Sequence, residues 1–405
     1  MAVYPENVRP DNVYLDHAAT TPMLPAAIRA YAEAMTVVGN PASIHSQGQN
    51  AKRMLEEARE VVARSVGSDP IEVVFTGGGT EAINLAVKGL FWARAPRTRI
   101  LAPGGEHHAT LDTVEWLEHH EGAVVEWLPL DALGRVDLAA LERAIAANPD
   151  DVALITLLAA NNEVGTLQPI REVAALAAAH GIPVHVDAVS AYGHVPIDFA
   201  ALSRTGVSAL SVSAHKIGGP VGIGALVLSR RATVVPLIHG GGQQRQVRSG
   251  TQDVAAAVSF AVAASAAVAE LPGEGVRLAA LRDRVIAGVR AAVPEAVLHG
   301  DPDPAGRLPG NAHFTFPGCE GDSLLFLLDV AGVSVSTGSA CQAGIPEPSH
   351  VLRAMGRSET EARGALRITL GRTSTDAHVD AFLAALPAAY VQAARAGMAD
   401  REPAR

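Results

Sequence analysis

Apolar residues in the first two thirds of the chain fall into two kinds of run. Short continuous stretches stand at 72–75, 99–102, 123–128, 152–158, 184–186, 208–212 and 224–228. Their length, and the absence of polar alternation, predict strands buried on both faces. Between several of them the spacing becomes helical. Leu55, Ala58, Val62 and Val66 share one face of a helix over 52–66, and the same period recurs at 138–147 and 172–180. After the run at 72–75 come Gly77, Gly78 and Gly79, and Thr80 is placed to cap a helix carrying Ala82, Leu85, Val87 and Leu90. Strands and helices in this order predict an α/β fold with a mostly parallel sheet covered by helices.

The pattern changes after an alanine-rich apolar helix at 254–269. Downstream stand a helix at 276–292, a loop holding Pro302, Pro304, Pro309 and Pro317, and a strand near 312–316. A helix at 323–330, a short one at 349–355, a strand near 365–370 and a last helix from Thr375 follow. This predicts a second, smaller α+β domain, with the N-terminal segment packed beside it. The expected division is a large domain over 15–262 and a small domain built from 1–14 and 263–405. The 254–269 helix, interrupted by Ser259 and Ser265, is short and alanine-rich for a membrane span and reads as a buried or interface helix.

Composition narrows the class. With 405 residues, 48% hydrophobic and 18% charged, the chain has the make-up of a globular protein with a large core. Its 42 acids against 32 bases leave a net charge of −10, which argues against a nucleic-acid-binding surface. Two cysteines build no disulfide framework, so a reducing compartment is expected. Met1 to Glu6 lacks a basic region followed by an apolar run, so no signal peptide and a cytoplasmic location are expected.

Four features carry candidate chemistry. The glycines before Thr80 sit at a strand-to-helix turn, where free amides suit a phosphate; taken alone, a tight turn with an ordinary threonine cap explains them better. Lys216, in Ser213-Ala214-His215-Lys216, ends a buried strand, where burial disfavours its charge. It is either a Schiff-base lysine, with Ser213 and His215 as phosphate donors, or a lysine turned to solvent. Asp187 ends another buried strand and needs a cationic or donor partner, such as a pyridinium nitrogen, or caps a loop. Cys341 sits among small residues over 336–344, which bury little, so its thiol is kept for reactivity rather than packing. A phosphate cup, a strand-end aspartate and a strand-end lysine together meet the needs of pyridoxal 5'-phosphate. Cys319 reads as a small buried hydrophobe. The pairs His107-His108 and His119-His120 do not share a helix face and have no third ligand at metal spacing, so no metal is expected.

The motifs in order resemble the cysteine desulfurases of the class V aminotransferase family, in the iron–sulfur assembly and nitrogen-fixation group. They include the segments 14–22, 39–43, 79–81 and 106–109, Asn161-Asn162-Glu163-Val164-Gly165, His185-Val186-Asp187-Ala188 and Ser213-Ala214-His215-Lys216. The series ends with Arg248-Ser249-Gly250-Thr251, Ser339-Ala340-Cys341, the segment 347–353 and Leu366-Arg367-Ile368. The resemblance implies the PLP-dependent transferase fold type I. It makes Lys216 the Schiff-base lysine, Asp187 the pyridinium partner and His107 a ring-stacking, proton-moving group. Asn162 is expected near the phenolate oxygen, and Gly79, Thr80, Ser213 and His215 at the phosphate. Thr251 is expected to reach the phosphate of a partner subunit, which implies a homodimer. Arg367 is expected to bind the substrate carboxylate, and Asn40 to border the substrate.

The implied reaction converts L-cysteine to L-alanine and leaves a persulfide on Cys341. Gly338 and Gly344 would let that loop move. The sulfur then passes to an acceptor in iron–sulfur cluster assembly or tRNA thiolation. Ser190 departs from the family, which usually has a glutamine there donating to the phenolate oxygen. The competing readings are another enzyme of this fold, such as a selenocysteine lyase or an aminotransferase, and a non-catalytic partner in a sulfur-transfer complex.

Overall fold

The computed structural model describes residues 12–338 and 347–399; Cys341 lies outside them. A seven-stranded sheet forms the larger part. The strands in chain order are β1 (Val13–Tyr14), β2 (Val73–Thr76), β3 (Arg99–Pro103), β4 (Val124–Leu128), β5 (Val152–Leu158) and β6 (Val184–Asp187). They continue with β7 (Val207–Ser213), β8 (Gly224–Leu228), β9 (Val297–His299), β10 (Asn311–Thr315), β11 (Val333–Ser334) and β12 (Ala365–Thr369). The large sheet runs β2-β8-β7-β6-β5-β3-β4. Pairs from β7 through β4 are parallel, and β8 is antiparallel to both of its neighbours.

Helices cover both faces of this sheet. They are α1 (Pro25–Met35), α2 (Ser46–Ser65), α3 (Gly79–Ala93), α4 (His108–Glu121), α5 (Leu138–Ala147), α6 (Ile170–Ala178) and α7 (Phe199–Thr205). The later ones are α8 (Val254–Ala292), α9 (Gly321–Val330), α10 (His350–Ala354), α11 (Glu359–Arg363) and α12 (Asp376–Ala399). The central strands are largely apolar because successive side chains enter different cores. Val73, Phe75, Leu101, Ile155 and Leu157 pack with α2, α5, α6, α7 and the first half of α8. Val74, Ile100, Ala153 and Leu154 pack with α3 and α4. A separate core joins β10, β12, the second half of α8, α9 and α12, with Phe314, Phe316 and Phe382 fully buried.

Helix α8 corrects one expectation. Two helices were expected, at 254–269 and 276–292. The structure has one helix of 39 residues with Pro272 inside it. An interior proline costs about 3 kcal/mol. Burial of a large apolar side chain returns about 1.5–3 kcal/mol, and the helix is anchored by Phe260 in one core and by Leu281, Val285 and Val289 in the other. Among the described residues it is the one helix long and apolar enough to cross a membrane. Its most apolar part is packed against α1 and α2, as a core helix is.

The short strands β1, β9 and β11 and the polar helix α4 gave no clear periodicity in sequence. Pairing created the strands: β1 lies parallel to β11, and β9 extends the three-stranded sheet β12-β10-β9.

Candidate active site

The exits of β3, β5, β6 and β7 converge with the turn before α3 on a cavity of about 420 Å³. Crevices outside the carboxyl ends of parallel strands are the usual ligand sites of such sheets. Gly79, Thr80, His107, Asn162, Asp187, Ser190, Ser213, His215, Lys216 and Arg367 all line this one. Ten positions spread over nearly 300 residues of chain are thereby brought together. A larger hollow, about 1430 Å³, lies elsewhere, against α8 and the loop at 304–309. Lys216, Asp187, His107 and the glycine turn belong to the smaller cavity.

Asp187 ends β6 and is almost fully buried. Its Oδ1 accepts a hydrogen bond from Val189 N–H at 2.9 Å. Burial lifts its carboxyl to about 6, opposed by that N–H and by the Lys216 charge. A carboxylate held in this way gains from a protonated ring nitrogen. The two-residue period of β6 puts His185 on the same face. That ring is clamped between Thr156 Oγ1 at 2.8 Å and Ser211 Oγ at 2.9 Å, and burial depresses it to about 3, so it stays neutral.

Lys216 follows β7 in a short turn and is partly buried. Its Nζ donates to the carbonyls of Ala18 and Ala19, the latter at 2.9 Å. Burial, then the charge of Arg367, depresses it to about 8, against the pull of Asp16 and Asp187. A fraction of the amine is therefore neutral and nucleophilic near physiological pH. His107 caps α4, with Nδ1 accepting from Ala109 N–H at 3.0 Å, which leaves its proton on Nε2. The enclosing walls, then the Lys216 charge, hold it at about 4. A neutral ring exposed to the cavity is suited to stack on an electron-poor ligand and to exchange protons.

The glycine turn differs from its expectation. The cap of α3 is Gly78, not Thr80, and its φ of 147° is one that side-chain-bearing residues rarely adopt. Thr80 is the second residue of the helix, so its amide and hydroxyl and the amide of Gly79 lie at the free N-terminal end. A Cβ on Gly79 would stand 2.7 Å from a Val189 methyl and 3.5 Å from Ser213 Cβ, so the turn is pressed against the exits of β6 and β7. Glu81 in the first turn binds Arg248 through two hydrogen bonds, at 2.8 and 3.2 Å, tying the segment that holds Thr251 to this helix.

Arg367 on β12 brings the smaller core to the cavity. It donates to the Asn162 carbonyl at 2.9 Å and to Asp16 at 2.8 Å. Two expected site residues lie elsewhere. Thr251 lines a small hollow beyond Gly77, with Gly222 and Arg248, and not the cavity of its own chain. Asn40 is exposed on the turn between α1 and α2, its Oδ1 accepting from Ala42 N–H.

The motif reading missed Glu106, Glu163 and His350 as functional groups. Glu106 accepts from Leu158 N–H at 3.0 Å, and its other oxygen has no partner; burial raises its carboxyl well above the usual range. Glu163 is fully buried beneath Gly338 and accepts a hydrogen bond from Ser349, so it ties down both approaches to residues 339–346. His350 Nδ1 lies 3.9 Å from Glu163 Oε1. The available signal was an acid inside an otherwise apolar or amide-rich strand exit, which a core does not tolerate without a task.

These residues fit pyridoxal phosphate. The buried Asp187 offers an anionic partner for a ring nitrogen, Lys216 an amine, and the α3 N-terminus an anion site. The Asn162 Oδ1 is buried without a hydrogen bond, a cost that a polar ligand removes.

The family model described as aminotransferase class-V matches residues 13–382. An IscS-like cysteine desulfurase of Mycobacterium tuberculosis is 54% identical over 390 residues, covering 95% of this chain and 98% of that one. The cysteine desulfurase IscS of Methanosarcina thermophila is 42% identical over 386 residues, covering 94% and 93%. Among solved structures, one described as a NifS-like protein superposes with a TM-score of 0.84 at 34% identity, covering 93% of this chain and 98% of that one.

Proposed function

Because the chain belongs to the class-V aminotransferase family and is a pyridoxal-phosphate-dependent cysteine desulfurase, we propose the following division of labour among its residues. The observation that carries it is the convergence of Lys216, Asp187 and His107 on the cavity beneath Arg367.

Lys216 would hold the cofactor covalently through Nζ, with Asp187 against its ring nitrogen and His107 over its face. Gly79, Thr80, Ser213 and His215 would take the phosphate, and Asn162 and Ser190 would stand beside the phenolate oxygen. When bound, the cofactor withdraws electrons from the substrate's Cα and so weakens the bond between Cβ and sulfur. Arg367 would exchange its bonds to Asp16 and Asn162 for the carboxylate of L-cysteine, a bidentate partner for a guanidinium. Lys216, freed when substrate takes its place, would move the Cα proton, with neutral His107 as a second carrier. The Cys341 thiolate would attack the substrate sulfur. An S–S bond forms, the Cβ–S bond breaks, and the electron pair left on the substrate takes up a proton to yield L-alanine.

We assign the persulfide on Cys341 to transfer toward iron–sulfur cluster assembly or tRNA thiolation. The names of the relatives support a role in sulfur mobilisation. A homodimer is part of this reading, and the exclusion of Thr251 from its own cavity supports a contribution to the partner's phosphate site. A chain with two cysteines suits a reducing, cytoplasmic compartment.

Incubating the purified protein with L-cysteine and measuring L-alanine together with Cys341 persulfide by mass spectrometry tests the assignment. Equal yields of both in a first turnover are expected. A Cys341→Ala variant that released sulfide at the full rate would overturn the role of Cys341. A selenocysteine lyase or aminotransferase would not need the thiol.

A further inference from the structure

Beside Lys216, and sharing residues with the main cavity, lies a second and much smaller space of about 40 Å³. Seven polar residues face it: Lys216, Ser190, Asn162, Asn311, His17, His194 and Thr369. The Oδ1 atom of Asn311 is buried without a hydrogen bond. A cavity of ~10–15 Å³ holds a water if it offers two to four polar partners. This one is large enough and polar enough. The space shares Lys216, Ser190 and Asn162 with the main cavity. It shares His194 with the 1430 Å³ hollow. The His194 ring lies near the backbone carbonyl of Lys216 and borders both spaces.

We propose that this space is a built water site, and that Ser190, its water and His194 form a proton route between Lys216 and solvent. The inference rests on the assignment of Lys216 as the active-site amine. In the outward direction, Lys216 Nζ–H gives its proton to the water. The water passes a proton to a ring nitrogen of His194, and that ring releases one to solvent in the hollow; the reverse sequence reloads Lys216. Such a route serves the step in which substrate fills the main cavity and bulk water is excluded there. Lys216, Glu274 and Arg372 face His194; His378, Glu274 and Arg277 face the neighbouring His17. Raising or lowering pH therefore acts on a cluster, of which His194 is the member that spans both spaces.

Two variants and a structure test the route. A high-resolution crystal structure of the protein, with or without cofactor, is expected to show water within hydrogen-bonding distance of Ser190 Oγ and His194. Ser190→Ala is expected to remove one partner of that water and to shift the pH midpoint of the cofactor–lysine absorbance band by about half a unit, about 0.7 kcal/mol at about 1.36 kcal/mol per unit. His194→Gln keeps an amide donor for the Lys216 carbonyl but cannot relay a proton. It is expected to lower kcat about tenfold, less than the hundredfold or more of a group that transfers the proton to substrate directly, with KM for L-cysteine unchanged and the kcat–pH profile altered. Absence of the water, or variants whose absorbance titration and pH profile superimpose on those of the unmodified protein, would overturn the route. Alanine formation by the unmodified protein in the same assay separates that result from a failure of the desulfurase assignment.

Discussion

Replacing Asp187 by asparagine should stabilise the protein without cofactor and weaken its hold on the cofactor. The carboxyl is 2% exposed and accepts one N–H, so ionising it in the folded state is unfavourable. Its ordinary value of 3.8 is carried to about 6. A raised acid contributes most below its unfolded value, and that contribution is lost as pH rises through the folded value. Above about pH 6 the ionised carboxylate therefore costs the fold roughly 3 kcal/mol, at about 1.36 kcal/mol for each pH unit of displacement. The amide of Asp187→Asn cannot ionise, so the variant without cofactor should gain up to roughly that amount at pH 8 and progressively less toward pH 4. With cofactor the sign reverses, because a charge-assisted hydrogen bond of about 1.5–3 kcal/mol is replaced by a neutral one of about 1 kcal/mol, corresponding to roughly 2- to 30-fold weaker binding. Urea midpoints of the cofactor-free proteins at pH 8 and pH 4.5, with cofactor titrations by absorbance, read both effects. A variant less stable at pH 8, or a gain unchanged between the two pH values, would refute the reasoning.

Other outcomes follow from the same geometry. Because Lys216 is depressed to about 8 from 10.5, its neutral amine appears as pH rises through about 8; borohydride trapping of pyridoxal by cofactor-free protein should climb there, and a midpoint above 10 would contradict the burial argument. Gly79→Ala places a methyl 2.7 Å from Val189 and should reduce cofactor affinity while leaving secondary structure intact, as measured by absorbance titration and circular dichroism. Phe314→Ala, at a fully buried site in the smaller core, should cost about 3–5 kcal/mol in denaturant unfolding. A value below about 1 kcal/mol would mean that this core does not support the strand carrying Arg367.

Much of the large sheet was legible because its strands are apolar on both faces and short, and helical periodicity fills the gaps between them. The runs at 152–158 and 224–228 became β5 and β8 with the same limits. Where packing overrides local preference the reading failed. Pro272 continues a helix because two cores hold its ends, and Thr80 yields its cap to Gly78 because only glycine takes that backbone angle readily. Motif order named the residues of the cavity, but Glu163 and His350 gained meaning only from their proximity, 187 positions apart in the chain, across the approaches to Cys341.

By itself the sequence determined which chemical groups are available: one lysine and one aspartate at the ends of buried strands, a glycine turn, and a cysteine among small residues. It also determined that Ser190 is too short to act as the longer side chain would. The tertiary structure alone decided what those groups experience. Burial lifts Asp187 and depresses Lys216, β12 delivers Arg367 to Asp16 and Asn162, and the space beyond Ser190 opens toward His194. Ionisation and solvent access depend on distances and dielectric surroundings, which arise only when segments remote in the chain pack together.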